Sequence, residues 1–343
     1  MNRPPRLVLT VCVLLVVQCL GMAQEKWNKL KPNSRAQHGA YASVQLSRLL
    51  AGKYDDLEKE MGSPTLADAG AIGLTADRSF SSAFRIEDWD VQPDWTAYLK
   101  ALDAWHAAFP KSPGSLLAKS TAMIGYAWEA RGNGVSGTVT ENGWKLFGER
   151  LMEGFKTLEE ARKLGGDKEP VYWMNLLIYS RGLQAPPGKT KEVVEEALNR
   201  FPQNPSIYYA YCVAILPRWG GAEGEWQEWI SKQNKDARWE GKEMDPQLYA
   251  QILWQVFGYM HNSDGPFFAN KSLSWEKAKL GLDQLCDKYP KSVYWKTARA
   301  CLAWAAEDAK ALTAAITALN STYDSWAISP ANLEKMLNSV RAK

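Results

Sequence analysis

The sequence predicts an all-α protein built from repeated helical hairpins, an α-solenoid with long loops between some of its helices. Alternating apolar runs, which are typical of strands, are nearly absent from the 343 residues. Several segments begin with a proline in the first helical turn and continue as an aromatic-rich amphipathic helix. Other segments end in an aromatic residue followed directly by proline, which cannot continue a helix.

Residues 1–23 predict a secretory signal peptide that is not part of the fold. Arg3 and Arg6 give a charged start, Leu7–Leu20 is apolar, and small residues suit cleavage before Gln24. The apolar run is shorter than the about 20 residues that span a bilayer. No later stretch of sequence is apolar enough for a membrane helix. We therefore expect an exported protein, periplasmic or extracellular, with no stable membrane insertion after cleavage.

The composition argues against some classes of partner. Hydrophobic residues make up 46% of the chain and charged residues 23%, as in ordinary globular proteins. Removing Arg3 and Arg6 from the 41 basic residues leaves 39 against 38 acidic residues, a net charge near +1. Because nucleic acids are bound by clustered positive charge, we expect neither a nucleic acid nor an anionic membrane surface as partner.

The cysteines do not predict a disulfide framework. Without the leader the chain keeps Cys212, Cys286 and Cys301, and an odd number cannot pair completely. We interpret all three as small buried apolar residues. A Cys286–Cys301 bridge across a helical hairpin stays open as an alternative, although the two lie at unequal distances from the turn near Lys291.

Residues 24–93 are interpreted as an N-terminal helical hairpin followed by a linker. The segment 49–61 predicts a hairpin that turns at Gly52. The segment 63–93 is rich in Gly, Ser, Ala, Thr and Asp and has little periodicity, which is typical of a linker or a loosely packed segment.

Residues 94–343 predict the repeat domain. Helix starts are predicted at Glu169-Pro170, Asn204-Pro205, Asp245-Pro246 and Pro290-Lys291. Helix ends are predicted at WHAAFP (105–110), LNRFP (198–202) and CDKYP (286–290). These phrases recur at intervals of about 32 to 44 residues, which is typical of tetratricopeptide-like helical hairpins.

Residues 132–137 contain the G-x-G-x-x-G spacing that cradles the pyrophosphate of a dinucleotide. That motif needs a strand before it and a helix after it. Residues 116–130 are instead apolar at helical spacing, and Thr138 to Glu141 resemble a capping box that opens the next helix. The glycines therefore predict a loop between two helices, and no nucleotide cofactor is expected.

Residues 188–190, Gly-Lys-Thr, resemble the end of a phosphate-binding loop. Leu183 stands where that loop needs a glycine, and Pro186 and Pro187 remove two backbone donors that would hold phosphate. We therefore reject a phosphate-binding loop.

Metal-binding patterns are also incomplete. Asp88, Asp90 and Asp94 alternate as in a calcium loop, but the glycine turn and the distal glutamate are missing. The histidines, none of which has a recognised metal spacing, are His38, His106 and His261. No metal cofactor is expected.

The longest predicted loops fall on one edge of the solenoid, which we call the rim. In a hairpin repeat, turns within hairpins lie on one edge and turns between hairpins on the other. The turns between hairpins are short, whereas those within hairpins are long and irregular. The long turns are 130–138, 181–189, 217–225 and 261–274. Because loops positioned by a rigid scaffold often carry function, we interpret the rim as the candidate site.

The candidate binding residues lie on or beside these loops. They are Arg131, Asn133, Trp144, Arg218, Trp219, Trp226, His261, Asp264, Phe267 and Phe268. As an alternative, the loops only pack on one another, with Trp219 as the plug and Arg218 capping helix-end carbonyls. In either case we expect the turns 130–138 and 217–225 to meet, and Trp219 to pack against the facing loop or against Trp144.

Two of these loops carry a resemblance. YAWEARGNGVSGTVTENGWKLFGERL (126–151) and ILPRWGGAEGEW (215–226) are similar to the ARGxG…TVxxxGW and LPRWGG blocks of an uncharacterised bacterial domain family with tetratricopeptide-like helices. The resemblance covers residues 45–260, with Val135 where an aromatic residue is common in that family. It implies a helical-repeat fold and a bacterial envelope setting, and it implies no reaction.

These observations predict a binding scaffold for a protein or peptide partner rather than an enzyme. The alternative is an envelope hydrolase or carbohydrate-binding protein that uses tryptophans as stacking platforms and carboxylates on the concave face. A hydrolase would show a deep pocket with two carboxylates within about 5–10 Å of each other, whereas a scaffold would show an open groove without such a pair.

Overall fold

The described part of the chain is almost entirely helical, which confirms the all-α class. The computed structural model describes residues 31–33, 36–62, 70, 83–85, 94–132, 134–260, 267–319, 322–324, 328 and 330–341. These residues form 14 α-helices and two three-residue strands. The predicted signal peptide 1–23 and most of the predicted linker 63–93, with Asp88 and Asp90, lie outside the described residues.

The helices follow one another with few strand residues between them. They are α1 (Ala36–Leu50), α2 (Tyr54–Gly62), α3 (Trp95–Ala108), α4 (Gly114–Arg131), α5 (Glu141–Lys163), α6 (Pro170–Gly182), α7 (Pro187–Arg200), α8 (Pro205–Ala214), α9 (Glu225–Asn234), α10 (Pro246–Met260), α11 (Trp275–Lys288), α12 (Val293–Ala305), α13 (Ala309–Ala318) and α14 (Pro330–Arg341). Strands β1 (Lys31–Asn33) and β2 (Thr322–Asp324) pair in parallel. Short 3₁₀ turns lie at Ser136–Thr138, Gly166–Lys168, Pro217–Trp219 and Ala237–Trp239.

Helices begin where the prolines predict. Pro170, Pro205 and Pro246 are the first residues of α6, α8 and α10. A proline suits that position because its missing N–H would have no intrahelical partner. The start predicted at Pro290 falls slightly later, since Ser292 caps α12 by accepting a hydrogen bond from the Trp295 amide at 3.1 Å.

Three helices end with the same backbone geometry. The residues after α3, α7 and α11 are Phe109, Phe201 and Tyr289, and each precedes a proline. Their φ/ψ angles are −128°/64°, −131°/60° and −124°/66°. A residue before proline is sterically kept out of the helical region, so the helix stops there. Each aromatic ring then packs at the edge of the hydrophobic core.

Gly52 and Asp94 lie at helix boundaries in the structure. The hairpin predicted over 49–61 is present, and Gly52 turns it with a φ of +68° that favours glycine. Asp94, considered above as part of a calcium loop, caps α3 by accepting a hydrogen bond from the Ala97 amide at 3.0 Å.

The capping box predicted from Thr138 to Glu141 is wrong. Thr138 lies in a 3₁₀ turn, where its hydroxyl donates to the Val135 carbonyl at 2.8 Å. Thr140 caps α5 instead, and its hydroxyl accepts from the Gly143 amide at 3.0 Å. Thr140 has the extended backbone that a cap needs immediately before the first helical residue.

The prediction that turns within hairpins are long and turns between hairpins are short holds only in part. The turn 181–189 is shorter than expected, because α7 already begins at Pro187. The turn between α9 and α10, residues 235–245, is long although it joins two hairpins. The other long turns, after α4 and α8, are present, whereas residues 261–266 of the turn predicted after α10 lie outside the described residues.

Helix contacts follow a simple order. Neighbouring helices from α3 to α9 and from α10 to α13 pack on one another along the chain. In addition, α4, α6, α8, α10 and α12 form a row in which each helix contacts the next even-numbered helix. Within this row α4, α8 and α12 bury most of their residues, as α4 does from Gly114 to Gly125, whereas α6 and α10 bury just under half. The even-numbered helices therefore contribute most of the core. No helix in the described ranges is both long and apolar enough to cross a membrane.

The three cysteines of the described residues are free thiols, and the Cys286–Cys301 bridge left open above does not form. Cys212 and Cys301 are fully buried, as predicted for small apolar residues, and burial raises the pKa of both thiols well above the ordinary value. Cys286 is only partly buried, and burial raises the pKa of its thiol to about 11.

We expect alanine at position 281 to separate α11 from α10. A Cβ on Gly281 would lie 1.9 Å from the backbone oxygen of Pro246 and 2.8 Å from the Cβ of Ala250. Gly281→Ala should therefore lower the free energy of unfolding in urea by about 1–3 kcal/mol. Gly148 in α5 is the control, because a Cβ there meets nothing within 4 Å. Gly148→Ala should stabilise by about 0.5–1 kcal/mol, and equal effects of the two changes would contradict the close packing.

Candidate functional site

The predicted rim residues divide into separate groups in the structure. One group gathers at the ends of α4, α6, α8 and α10, and we call it the rim cluster. Its members are Trp128, Arg131, Trp144, Arg181, Arg218, Trp219 and Tyr259. In a second group, Trp226 belongs to the core, and Phe267 and Phe268 are partly buried against it. Asn133, His261 and Asp264, which were predicted as site residues, lie outside the described residues.

The turn after α8 packs against the end of α4. The rings of Trp128 and Trp219 meet edge to face, with centroids 5.8 Å apart and planes at 89°. Trp219 is positioned by a 3₁₀ turn in which its amide donates to the Leu216 carbonyl at 2.7 Å. Its indole N–H donates to the Tyr259 hydroxyl at 3.4 Å. Trp219 thus packs on the last turn of α4 rather than on Trp144.

Arg131 holds the turn that follows α4. Its Nη1 donates to the carbonyls of Gly132 and Gly134 at 3.2 and 3.0 Å. Its guanidinium carbon also lies 5.2 Å from the centroid of the Trp128 ring and 5.1 Å from that of Trp144. Cations are attracted to aromatic faces at such distances. Arg131 therefore joins the loop carbonyls to two indole rings.

Arg218 has a different position from the one considered for it. In the packing alternative Arg218 caps helix-end carbonyls, but its guanidinium donates no hydrogen bond to a carbonyl of the described residues. The Arg218 guanidinium carbon lies 4.4 Å from the centroid of the Tyr259 ring, and the residue is exposed. The physical reason is local, since Arg218 lies inside the 3₁₀ turn Pro217–Trp219 and not in the last turn of a helix.

Arg181 is the central cation of the rim cluster, and the sequence analysis did not select it. Its guanidinium carbon lies 4.9 Å from the centroid of the Trp219 ring and 5.7 Å from that of Trp128. Burial lowers the pKa of Arg181 from its ordinary value, and the positive charges of Arg85 and Arg218 act in the same direction. Its Nε is shielded from solvent and has no hydrogen-bond partner among the described residues.

A repeated dipeptide could have identified Arg181. Arg131-Gly132 and Arg181-Gly182 both stand at a helix end that faces a predicted long turn. A cation in the last turn and a glycine at the end are both favoured there. Trp128 has no comparable signal, because an aromatic residue inside an apolar helix is normally interpreted as core.

The aromatic residues of the second group pack together inside the molecule. Trp226 is 2% exposed, and its ring centroid lies 5.4 Å from that of Phe267. Phe267 contacts Phe268 at 5.2 Å, and Phe268 contacts Trp275 at 5.5 Å. This buried position leaves Trp226 with a packing role, whereas the sequence grouped it with the rim.

The rim cluster offers cations, aromatic faces and donors. Arg131, Arg181 and Arg218 form no ion pair with a carboxylate of the described residues. Across the same residues, no group of three or more His, Cys, Asp or Glu is arranged to hold a metal ion. The cluster therefore offers donors for an acceptor group and faces for an aromatic group.

Comparisons with known proteins add no relative to this description. The chain matches no family model, no curated protein and no solved structure among those compared with it. The geometry of the residues therefore carries the functional argument, and the resemblance to a bacterial domain family stays a prediction.

We expect Trp219→Ala to destabilise the fold and Trp144→Ala to leave it nearly unchanged. Trp219 contacts Trp128, Arg181 and Tyr259, whereas Trp144 is 37% exposed. Loss of Trp219 should lower the free energy of unfolding by about 3 kcal/mol, the low end for a large aromatic side chain, because it is only partly buried. The change at Trp144 should stay within about 1 kcal/mol. Urea titration of both variants measures this, and equally small losses would show that Trp219 does not join the turns.

Proposed function

We propose that the chain is an exported binding scaffold, a solenoid of tetratricopeptide-like helical hairpins whose rim contacts a protein or peptide partner. The order of helix contacts supports the solenoid, since each hairpin of such a repeat touches mainly its neighbours along the chain. The apolar leader with its charged start supports export to the periplasm or beyond.

The observation that carries the binding proposal is a pair of exposed apolar residues, one in the turn that Arg131 holds and one against its guanidinium. Val135 is 75% exposed and Trp144 is 37% exposed. Trp144 lies over the guanidinium of Arg131, which is in turn held by the loop carbonyls. Exposed aromatic residues and arginines are enriched where proteins contact their partners. A fixed, exposed indole next to a cation is therefore a suitable contact surface.

The residues of the rim cluster are better suited to binding a partner than to hydrolysing a sugar. A hydrolytic site for sugars needs two carboxylates with a defined separation. The described members of the rim cluster are arginines, tryptophans and a tyrosine, which can bind and orient a ligand but supply no carboxylate as general acid or base. We therefore favour a scaffold over an envelope hydrolase.

Export predicts a shortened chain. Protein purified from its native host should have the intact mass of a chain that begins at Gln24, because signal peptidase removes residues 1–23. Cys12 and Cys19 are lost with the leader, so a thiol titration in denaturant should count three of the five cysteines. A mass that includes Met1 would contradict export.

Partner capture should depend on the exposed surface of the rim. We expect a Val135→Ser/Trp144→Ala variant to recover at least about tenfold less partner from a native envelope extract, as for the loss of an interface hot spot. Pull-down with quantitative mass spectrometry measures the recovery. Leu50→Ser is the control, because Leu50 is 67% exposed on α1. Recovery that is unchanged in the double variant, or that falls equally in the control, would contradict a rim contact.

A further inference from the structure

The rim cluster contains hydrogen-bond donors that lack acceptors. Trp128 Nε1, Arg131 Nε and Arg181 Nε are all shielded from solvent and have no partner among the described residues. More than about nine in ten buried polar atoms in proteins are paired. All three atoms are donors, so the group that would satisfy this region is an acceptor.

The arginines of the rim cluster carry more positive charge than the partial negative charges of the nearby helix C-termini balance. Arg131, Arg181 and Tyr259 lie in the last turns of α4, α6 and α10. Each helix C-terminus acts as about half a negative charge, so the four ends of α4, α6, α8 and α10 supply about 2. Arg131, Arg181 and Arg218 together carry three positive charges. Trp144 lies in the first turn of α5, where the carboxylate of Glu141 offsets the partial positive charge of the helix N-terminus.

The neighbours of the Arg181 guanidinium in the rim cluster are aromatic rings. The rings of Trp128 and Trp219 lie against its guanidinium, and the residue keeps part of its surface in solvent. A guanidinium whose neighbours are aromatic rings can still donate in its own plane. A planar carboxylate accepts two such bonds in parallel.

We propose that the rim cluster binds a carboxylate of an acidic peptide segment, with Arg181 as the pairing cation and Arg131 and Arg218 as flanking charges. This inference rests on the proposed binding function and adds the chemistry of the ligand. A carboxylate is the anion that an unmodified peptide offers. The apolar surface of Val135 and Trp144 lies next to Arg131, so apolar residues beside the acidic one would contact it. The segment recognised is thus one in which acidic and apolar residues alternate.

The test uses the full mature chain and two synthetic peptides. One is an acetylated and amidated Leu-Glu-Leu-Glu-Leu-Glu peptide, and the other carries glutamine in place of each glutamate. Calorimetric titration should show the glutamine peptide binding at least about tenfold more weakly, the loss of a charge-assisted hydrogen bond. Indole fluorescence should change with the glutamate peptide, because Trp128 and Trp219 lie against the binding cation. Equal affinity for the two peptides, or no affinity for either, would overturn the proposal.

Substitution of Arg181 separates recognition from folding. Arg181→Met should weaken binding of the glutamate peptide at least about tenfold. The same variant should unfold at an equal or higher temperature without peptide, because it removes a partly buried cation that has no paired carboxylate. Arg162→Met is the control, since Arg162 is half-exposed on α5 and lies 3.9 Å from Glu159. A lower unfolding temperature with unchanged peptide affinity would show that Arg181 only stabilises the fold.

Two more measurements can overturn the carboxylate assignment. Inorganic phosphate, titrated at constant ionic strength, should compete with the peptide only weakly, and tight phosphate binding without peptide binding would contradict it. Asp264 lies outside the described residues. Peptide binding that occurs only in an Asp264→Asn variant would show that a carboxylate of the chain itself occupies Arg181.

If peptide binding fails while partner capture still depends on Trp144, only this inference is wrong. If the peptide binds through Arg181 while capture is independent of Trp144, the proposed contact surface is wrong.

Discussion

A buried indole carries one N–H that favours an acceptor, and at three tryptophans this hydrogen bond fixes the position of neighbouring helices on one another. The indole of Trp105 donates to Glu58 of α2 at 2.8 Å, and that of Trp254 donates to Tyr294 of α12 at 2.7 Å. Each hydrogen bond fixes the position of one helix along the other, and the ring also buries apolar area between them. Trp275 of α11 does the same with Asp308 at 3.0 Å, the residue that also caps α13. Backbone and side-chain donors together lower the pKa of Asp308 to about 2, so this link persists to acid pH.

The rim cluster also contains a tryptophan with a buried indole N–H, but there the N–H is not paired among the described residues. The indole of Trp128 meets Trp219 and two arginines, but its N–H has no acceptor among the described residues. An unpaired buried donor costs about 1–3 kcal/mol, which is a substantial part of the stability of a protein of this size. A cluster that combines such donors with unpaired arginines is unfavourable for the isolated fold. Proteins often accept this cost where a ligand completes the site.

Sequence reasoning located the helix boundaries better than the members of the rim cluster, and the difference has a physical cause. Proline and the residue before it restrict the backbone locally, so Pro170 starts a helix and Phe201 ends one wherever the rest of the chain lies. The neighbours of Arg181 come from α4 and α10 and from the turn after α8, far apart in sequence, and no local pattern selects them. The error at Thr138 is of another kind, because two threonines compete to cap α5 and only the backbone conformation decides between them.

The position of the rim cluster follows from how helices end. Arg131 and Arg181 stand in the last turns of α4 and α6, where the partial charge of the free carbonyls favours a cation, and a glycine follows each of them. These preferences act on each helix alone and would leave each arginine at the surface with its own carbonyls. The contacts of α4 with α6, and of α6 with α8, bring the ends together and add Trp219 between them. Local rules thus place cations at each end, and helix packing concentrates their charge at one edge.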